Sequence, residues 1–173
     1  MNKFLLFSLS LIMVLPRVSF SERVTININA SVLERSCTIV NESLNLNVDL
    51  QGGDLRQSRI GIPFAGTPFS IKLTDCPENL SSANITFTGE SDITMGNLLK
   101  NIDKNENSAQ GVALGLYDSN INNIDIQNNK ETLNIDHDQA TQTFKFFAYY
   151  VKTNDVSTAG KIISVVDFEL AYD

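Results

Sequence analysis

Apolar and polar residues alternate along this chain with a period of two, in short runs that begin close to the N-terminus. Every second side chain of an extended strand points to the same face, so each run predicts a strand with one apolar side. The clearest runs cover residues 24–32, 44–50, 68–76, 84–89, 111–118, 143–151 and 161–173. The segments between them are rich in Asn, Asp, Ser and Gly, which favour turns, and only residues 54–61 and 96–103 could form a short helix. The pattern predicts a single antiparallel β-sandwich domain.

The N-terminus has the layout of a secretory signal peptide. Lys3 supplies a positive charge, residues 4–15 form an apolar run, and small residues precede a predicted cleavage after Ser21. The apolar run is too short to cross a bilayer. Residues 1–21 are therefore predicted to be removed on export, leaving a soluble product; a buried or membrane-bound N-terminal helix is the alternative.

The chain has two cysteines, Cys37 and Cys76, and both lie in the part that is predicted to be exported. In an oxidising compartment an isolated pair is most simply a disulfide. Closing a loop of this size would contribute about 4 kcal/mol if chain entropy dominates. A metal site that also uses His137 is the rival interpretation, but the spacing of the three residues does not resemble a ligand set.

Charge and motif content exclude several classes of function. The formal net charge is -7, and nucleic-acid binding requires clustered Lys and Arg, so nucleic acid is not an expected partner. His137 is flanked by Asp136 and Asp138, but adjacent side chains of a strand point to opposite faces, so we interpret this stretch as a solvated turn. No nucleophile, metal-protease or nucleotide-loop motif is present in the sequence. We therefore expect no enzyme activity, no metal, no cofactor and no small-molecule substrate.

Several motifs, in this order, resemble those of chaperone–usher pilins, the fimbrial subunits of Gram-negative bacteria. VTININASV precedes Cys37 by a few residues, as the N-terminal extension of such subunits does. PFSIKLTDCP followed by ITFTGESD resembles the stretch around the family's second cysteine, and GVALGLYD resembles its central strand. Gly160, fourteenth from the C-terminus, and the penultimate Tyr172 match the C-terminal pattern. The resemblance covers residues 22–173 and is closest to the minor tip-adaptor subunits of type 1 fimbriae.

The resemblance implies an all-β fold in which residues 36–173 form an incomplete immunoglobulin-like β-sandwich, the pilin fold, and residues 22–35 form a donor-strand extension. The sandwich lacks its last strand, and in the fibre the extension of the next subunit fills the resulting groove by β-strand addition. The donor side chains of this chain would be those on one face of its first run, namely Val24, Ile26, Ile28, Ala30 and Val32.

Ala30 departs from the family pattern, because donor strands of the family commonly carry Gly at this place. An added methyl group in a narrow pocket restricts which groove accepts the strand. We expect Ala30→Gly to be tolerated by a matching acceptor and Ala30→Leu to abolish pairing. Normal incorporation of the Leu variant into fibres would show that the position is loosely packed.

The resemblance also implies three partners: a periplasmic pilus chaperone, an outer-membrane usher and the neighbouring fimbrial subunits. The chaperone lends a strand to the groove and holds the C-terminal carboxylate before a neighbour's donor strand replaces it. The final strand is expected over residues 161–173, with Gly160 at a close backbone approach where it begins. The expected groove and chaperone contacts are Gly160, Ile162, Val166, Phe168, Leu170, Tyr172 and Asp173.

The implied function is that of a structural minor subunit or adaptor of a surface fimbria, exported through the periplasm of a Gram-negative bacterium and supporting cell adhesion. A major shaft pilin is the alternative within the family. A secreted binding protein whose own first strand completes its sandwich is the alternative from another class.

Phe147 and Tyr149 interrupt the polar face of the run over residues 143–151. They fit either a contact between subunits or a strand that is packed on both sides, and the sequence leaves both interpretations open.

Overall fold

A computed structural model describes residues 36–172 of the chain, so the predicted signal peptide, the predicted donor strand and Asp173 lie outside the described residues. The described chain is built almost entirely of β-strands, with one short α-helix and one turn of 3-10 helix. The elements are β1 (Thr38–Ile39), α1 (Asn41–Leu44), the 3-10 helix (Leu55–Gln57), β2 (Pro63–Thr74), β3 (Ser82–Gly89), β4 (Val112–Tyr117), β5 (Asn123–Ile124), β6 (Glu131–Asn134), β7 (Thr141–Lys152) and β8 (Val166–Tyr172).

The strands form two sheets. The larger sheet has five strands in the order β1-β2-β7-β4-β5, and the smaller has three in the order β6-β3-β8. Every pairing between these strands is antiparallel. The all-β prediction is confirmed by these two sheets. The apolar faces of both sheets meet in one core, which makes the fold a sandwich.

The core follows the period-two pattern of the sequence. The rings of Phe87 on β3 and Phe146 on β7 meet edge to face across the two sheets, with their centroids 5.2 Å apart. This geometry suits the charge distribution of aromatic rings. The side chains packed around them come from the same alternating positions: Ile71 and Leu73 on β2, Ile85 on β3, Leu114 and Leu116 on β4, and Ala148 on β7.

The runs over residues 68–76, 84–89, 111–118 and 143–151 correspond to β2, β3, β4 and β7, as predicted. The predicted disulfide between Cys37 and Cys76 is also confirmed, with the two Cα atoms 4.1 Å apart. It joins the residue before β1 to the segment that follows β2, and both cysteines pack against the core.

The strand predicted over residues 44–50 is wrong. The helix α1 ends at Leu44, and the chain then continues outside any sheet. A strand needs a neighbouring backbone edge, and the nearby edge of β2 is already used. Val40 N–H donates to Lys72 O over 3.0 Å, and Lys72 N–H donates to Ser43 Oγ over 2.9 Å. The alternating side chains of this segment are thus left without a strand partner among the described residues.

The last strand is shorter than predicted, because β8 begins at Val166 and not at residue 161. Its partner β3 ends at Gly89, which pairs with Val166, so β3 offers no edge to the residues before it. Those residues bond to the loop over residues 100–109 instead. Ile163 N–H donates to Asn101 Oδ1 over 3.0 Å, and Ser164 Oγ–H donates to Lys100 O over 2.7 Å.

The helix predictions were partly correct. Residues 54–61 contain the 3-10 helix, and the Asp54 side chain caps it by accepting the Arg56 N–H group. Residues 96–103 instead contain turns and a β-bridge. The short helix α1 and the short strands β5 and β6 were not predicted. Within residues 36–172, no helix has the length and apolar character needed to cross a membrane.

Candidate groove for an added strand

Strand β8 forms one edge of the smaller sheet. One side of its backbone pairs with β3 along its whole length, from Ala83↔Tyr172 to Gly89↔Val166. Among the strands that the structure describes, none pairs with the other side. The N–H and C=O groups on that side form an open edge of the kind that accepts another strand.

The side chains of β8 alternate between the core and solvent. Val166, Phe168, Leu170 and Tyr172 are partly buried and pack against the core, whereas the residues between them are exposed. The ring centroids of Phe168 and Phe87 lie 6.4 Å apart, which places Phe168 at the margin of the core. This apolar face forms the floor of a groove that the described residues only half cover.

The segment over residues 44–50 also carries apolar side chains at alternate positions, and it lies outside any sheet. Leu50 packs against the core, and its carbonyl oxygen lies 3.5 Å from the Tyr150 hydroxyl group, which donates to it. Leu44 and Leu46 are 53% and 38% exposed. This segment thus has apolar side chains that the described residues leave partly uncovered, as β8 does.

The C-terminal end of β8 lies beside the first described residues. Burial raises the pKa of the Tyr172 hydroxyl group, and a hydrogen bond from the Cys37 backbone offsets part of this shift. Cys37, next to the first described residue, therefore lies at the C-terminal end of β8. Chemically, the groove can bind an extended peptide through its backbone and bury every second side chain of it.

Residues 26–173 match the sequence model of a protein family whose description is "Fimbrial protein". The chain belongs to the fimbrial protein family. Long polar fimbria protein A of Salmonella typhimurium is 29% identical over 86% of this chain and 83% of that protein. The fimbrial-like protein YdeS of Escherichia coli (strain K12) is 34% identical over 56% of this chain, and the chain spans only 54% of that relative. The crystal structure of the P pilus rod subunit PapA matches with a TM-score of 0.63 and 17% identity, over 79% of this chain and 99% of that one.

The incomplete sandwich of this fimbrial subunit is thus the pilin fold. The prediction of a structural, non-enzymatic protein is confirmed by membership of a family of fimbrial subunits. His137 lies in the turn that follows β6, where its Nε2 atom is 2.8 Å from Leu80 O. Within residues 36–172, no group of three or more His, Cys, Asp or Glu side chains is placed to hold a metal ion.

The structure brings together most of the residues that the sequence assigned to the groove. Val166, Phe168, Leu170 and Tyr172 share the core face of β8, and Ile162 packs against the same core from the segment before it. Gly160 lies where a Cβ atom would come within 2.3–2.6 Å of backbone atoms of residues 107–109. Asp173 and the donor residues fall outside the described chain.

Sequence reasoning missed that the segment over residues 44–50 lies outside any sheet. Leu44, Leu46 and Leu50 were assigned to an ordinary core strand, although they follow the first cysteine closely and are separated by polar residues. The alternation indicates that the apolar face of this segment is to be buried. It does not indicate whether the covering strand comes from the same chain or from another.

Phe147 and Tyr149 lie on the outer face of the larger sheet. The Tyr149 ring covers Gly66, where a Cβ atom would lie 2.2 Å from Tyr149 Cε1. Its centroid is 5.0 Å from that of Tyr117 and 6.1 Å from that of Phe147. Burial, with a smaller contribution from Tyr149, raises the pKa of Tyr117. This arrangement fits a strand that is packed on both sides.

Proposed function

We propose that this fimbrial subunit is polymerised by donor-strand exchange in a chaperone–usher fimbria. Its groove along β8 accepts the N-terminal extension of one neighbour, and its own extension over residues 22–35 enters the groove of another. The observation that carries the proposal is the open edge of β8 beside an apolar face that the described chain leaves partly exposed.

The extension has the composition that this groove requires. Its apolar side chains would lie on one face of the predicted nine-residue strand, and β8 offers an edge of seven residues. Fully burying a Val or Ile side chain stabilises a protein by about 1.5–3 kcal/mol. Four such residues and Ala30 would contribute on the order of 10 kcal/mol at most, which is comparable to the stability of a typical domain. A subunit with an empty groove is accordingly expected to be marginally stable.

A marginal subunit with an open edge needs a temporary partner before assembly, because exposed edges aggregate. In this proposal a periplasmic chaperone occupies the groove and holds the carboxylate of Asp173, and an outer-membrane usher directs the exchange for the next subunit. The predicted signal peptide over residues 1–21 starts this route, and the fimbria on the cell surface ends it. The support is the groove together with the resemblance of the whole exported chain to chaperone–usher pilins.

Within the fimbria, we assign the chain to a minor adaptor position that supports adhesion by the fibre. It combines a groove with a donor extension, so it can stand between two other subunits. A repeating shaft subunit shares both features and is the alternative.

The test uses the chain without residues 22–32, expressed in a periplasm, and a synthetic peptide of residues 24–32 that stands in for the extension of a candidate neighbour. We expect the truncated subunit to melt at a low temperature alone and at a much higher temperature with the peptide. The matched control is the same peptide with Ala30→Leu, which we expect to give no stabilisation.

Two outcomes would contradict the proposal. A truncated subunit that is already stable and ignores the peptide has no groove to fill. A full chain that remains a stable monomer, with a melting temperature that does not respond to added peptide, completes its own sandwich and is the secreted binding protein of the alternative class.

A further inference from the structure

The residues before β8 continue its alternation although they belong to no strand. From Lys161 to Tyr172, odd-numbered residues are exposed and even-numbered residues are partly buried, without interruption. Ile162 packs against the same core that Val166 and Phe168 contact. The side chains of this segment are therefore arranged as those of a strand would be, in phase with β8.

The backbone of the segment is bonded on one side only. The N–H and C=O groups of Lys161 and Ile163 are all bonded to the loop over residues 100–109. Among the described residues, the backbone groups of Ile162 and Ser164 have no hydrogen-bond partner. Successive residues of a strand turn their backbone groups to opposite sides, so the unpaired groups lie along the side away from the loop.

The unpaired groups of the segment fall on the same side as the open edge of β8. Asn129 precedes β6 on the far side of β3, where its Oδ1 atom accepts Phe87 N–H over 2.7 Å and its Nδ2–H group donates to Phe87 O over 2.8 Å. Both backbone groups of Phe87 thus point away from β8, and Phe168 is the residue opposite Phe87. Residues that face each other in an antiparallel ladder exchange both hydrogen bonds or neither, so the backbone groups of Phe168 point to the open side. Because the alternation is unbroken, those of Ser164 and Ile162 share this direction.

One side chain of the loop, that of Asn101, bonds to both loop-facing residues of the segment. Its Oδ1 atom accepts Ile163 N–H over 3.0 Å, and its Nδ2–H group donates to Lys161 O over 3.1 Å. The same amide is fixed within its own loop, where Nδ2–H also donates to Ser108 Oγ over 2.9 Å and to Ala109 O over 3.0 Å. Strand β3 ends before this point, so the Asn101 amide takes the place that a neighbouring strand would have.

We propose that Asn101 is a positioning residue for the donor strand. It holds the segment in line with β8, so the accepting edge comprises the seven residues of β8 and the four before it, eleven in all over residues 162–172. An edge of this length can pair with all nine residues of the predicted donor strand over residues 24–32, whereas β8 alone cannot. The role of Asn101 rests on the proposed donor-strand exchange and adds to it the side chain that sets the length of the site.

Amide hydrogen exchange of the full exported chain, with and without the peptide of residues 24–32, tests the length of the edge. We expect the bound peptide to slow exchange of the Ile162 and Ser164 amides by about tenfold or more, as it slows that of the Phe168 amide. If protection stops at Val166 while the Phe168 amide is protected, the donor strand is confined to β8 and the proposed extension of the edge is overturned.

The variant Asn101→Asp tests the positioning residue itself. It keeps the shape of the side chain and the oxygen that accepts Ile163 N–H, but it places a second oxygen against Lys161 O. We expect the dissociation constant of the nine-residue peptide to rise by about tenfold or more, because carbonyl groups lose their donor. The matched control is Asn129→Asp, which makes the same change against Phe87 O on the far side of β3. It should leave the constant within about twofold of the parent value.

Peptide length separates positioning from a general loss of stability. Peptides of residues 24–30 and 26–32 have seven residues each, which β8 alone can accommodate. We expect Asn101→Asp to weaken binding of the nine-residue peptide more than that of at least one of these two, since a shorter strand can bind without the segment. Equal weakening of all three peptides, or equal effects of the Asn101 and Asn129 variants, would show that Asn101 only supports the fold. A parent chain that binds none of the peptides would instead refute donor-strand exchange itself, and the role of Asn101 with it.

Discussion

Strands β7 and β8 carry the same alternating apolar pattern but occupy different environments. Strand β7 pairs with β2 on one side and β4 on the other, and its core residues Phe146 and Ala148 are only 3% and 6% exposed. Strand β8 pairs with β3 alone among the described strands, and its Phe168 and Leu170 remain partly exposed. The burial of a strand's apolar face therefore depends on the neighbours of the strand as much as on its own sequence.

The difference assigns the two strands different roles. The chain itself completes the surroundings of β7, which anchors the core. Strand β8 presents an edge and a face that a strand from another molecule can complete. Variants in the two strands should thus respond differently to a peptide that fills the groove.

The largest effect is expected for Phe146→Ala on β7. Phe146 packs between Phe69 and Phe87, with centroid distances of 5.7 and 5.2 Å. Its truncation leaves a cavity, which should lower the free energy of unfolding by about 3–5 kcal/mol. Urea unfolding should show this loss equally with and without the peptide of residues 24–32. A loss that shrinks markedly when the peptide is present would mean that β7 also borders the groove.

The sequence predicts the paired strands better than the unpaired ones, for a physical reason. Alternation alone identified β2, β3, β4 and β7, whose partners lie within the same chain. It also predicted a strand over residues 44–50, where the backbone has no strand partner among the described residues. The pattern records that a face must be buried, and it carries no information on whether the neighbour belongs to the same molecule.

Other features left no periodic signal. The single turn of α1 is too short to show helical spacing, and the left-handed Ile121 stands in a run of asparagines that would each suit that conformation. The groove floor was predictable from the resemblance at the C-terminus, whereas the left-handed conformation of Ile121 depends on a turn that the sequence does not reveal.

A smaller effect is expected for Gly160→Ala, which tests the support of β8. A Cβ atom at Gly160 would come within 2.6 Å of three backbone atoms, which cannot rotate away, so we expect a cost of about 1–3 kcal/mol and weaker peptide binding. Thermal unfolding measures the loss of stability, and a peptide titration measures the loss of affinity. Gly52→Ala is the neutral control, because no atom lies within 4 Å of the added group; equal behaviour of the two variants would contradict the close packing at Gly160.

On β8 itself, Phe168→Ala should lower the free energy of unfolding by only about 1 kcal/mol while the groove is empty, because part of the Phe168 ring then stays in contact with water. The loss should rise to about 3 kcal/mol once the peptide fills the groove and covers the ring. Urea unfolding with and without peptide gives the difference directly. This dependence on the peptide is the opposite of that expected for Phe146→Ala, and a Phe168 variant whose cost is the same in both states would remove the distinction between the strands.

The smallest effect concerns the tyrosines of the two regions. Burial raises the pKa of Tyr172 in the groove and of Tyr117 on the outer face above the ordinary value of 10.0. Because the folded state holds these protons more tightly than the unfolded state, their contribution to stability is complete below about pH 10 and is lost as the pH rises through the folded pKa values.

A peptide in the groove buries Tyr172 further and leaves Tyr117 as it is. In an absorbance titration of the phenol groups, the peptide should therefore raise the pKa of one tyrosine. The shift should disappear in Tyr172→Phe and persist in Tyr117→Phe, and the reverse result would place the bound peptide on the outer face of the larger sheet.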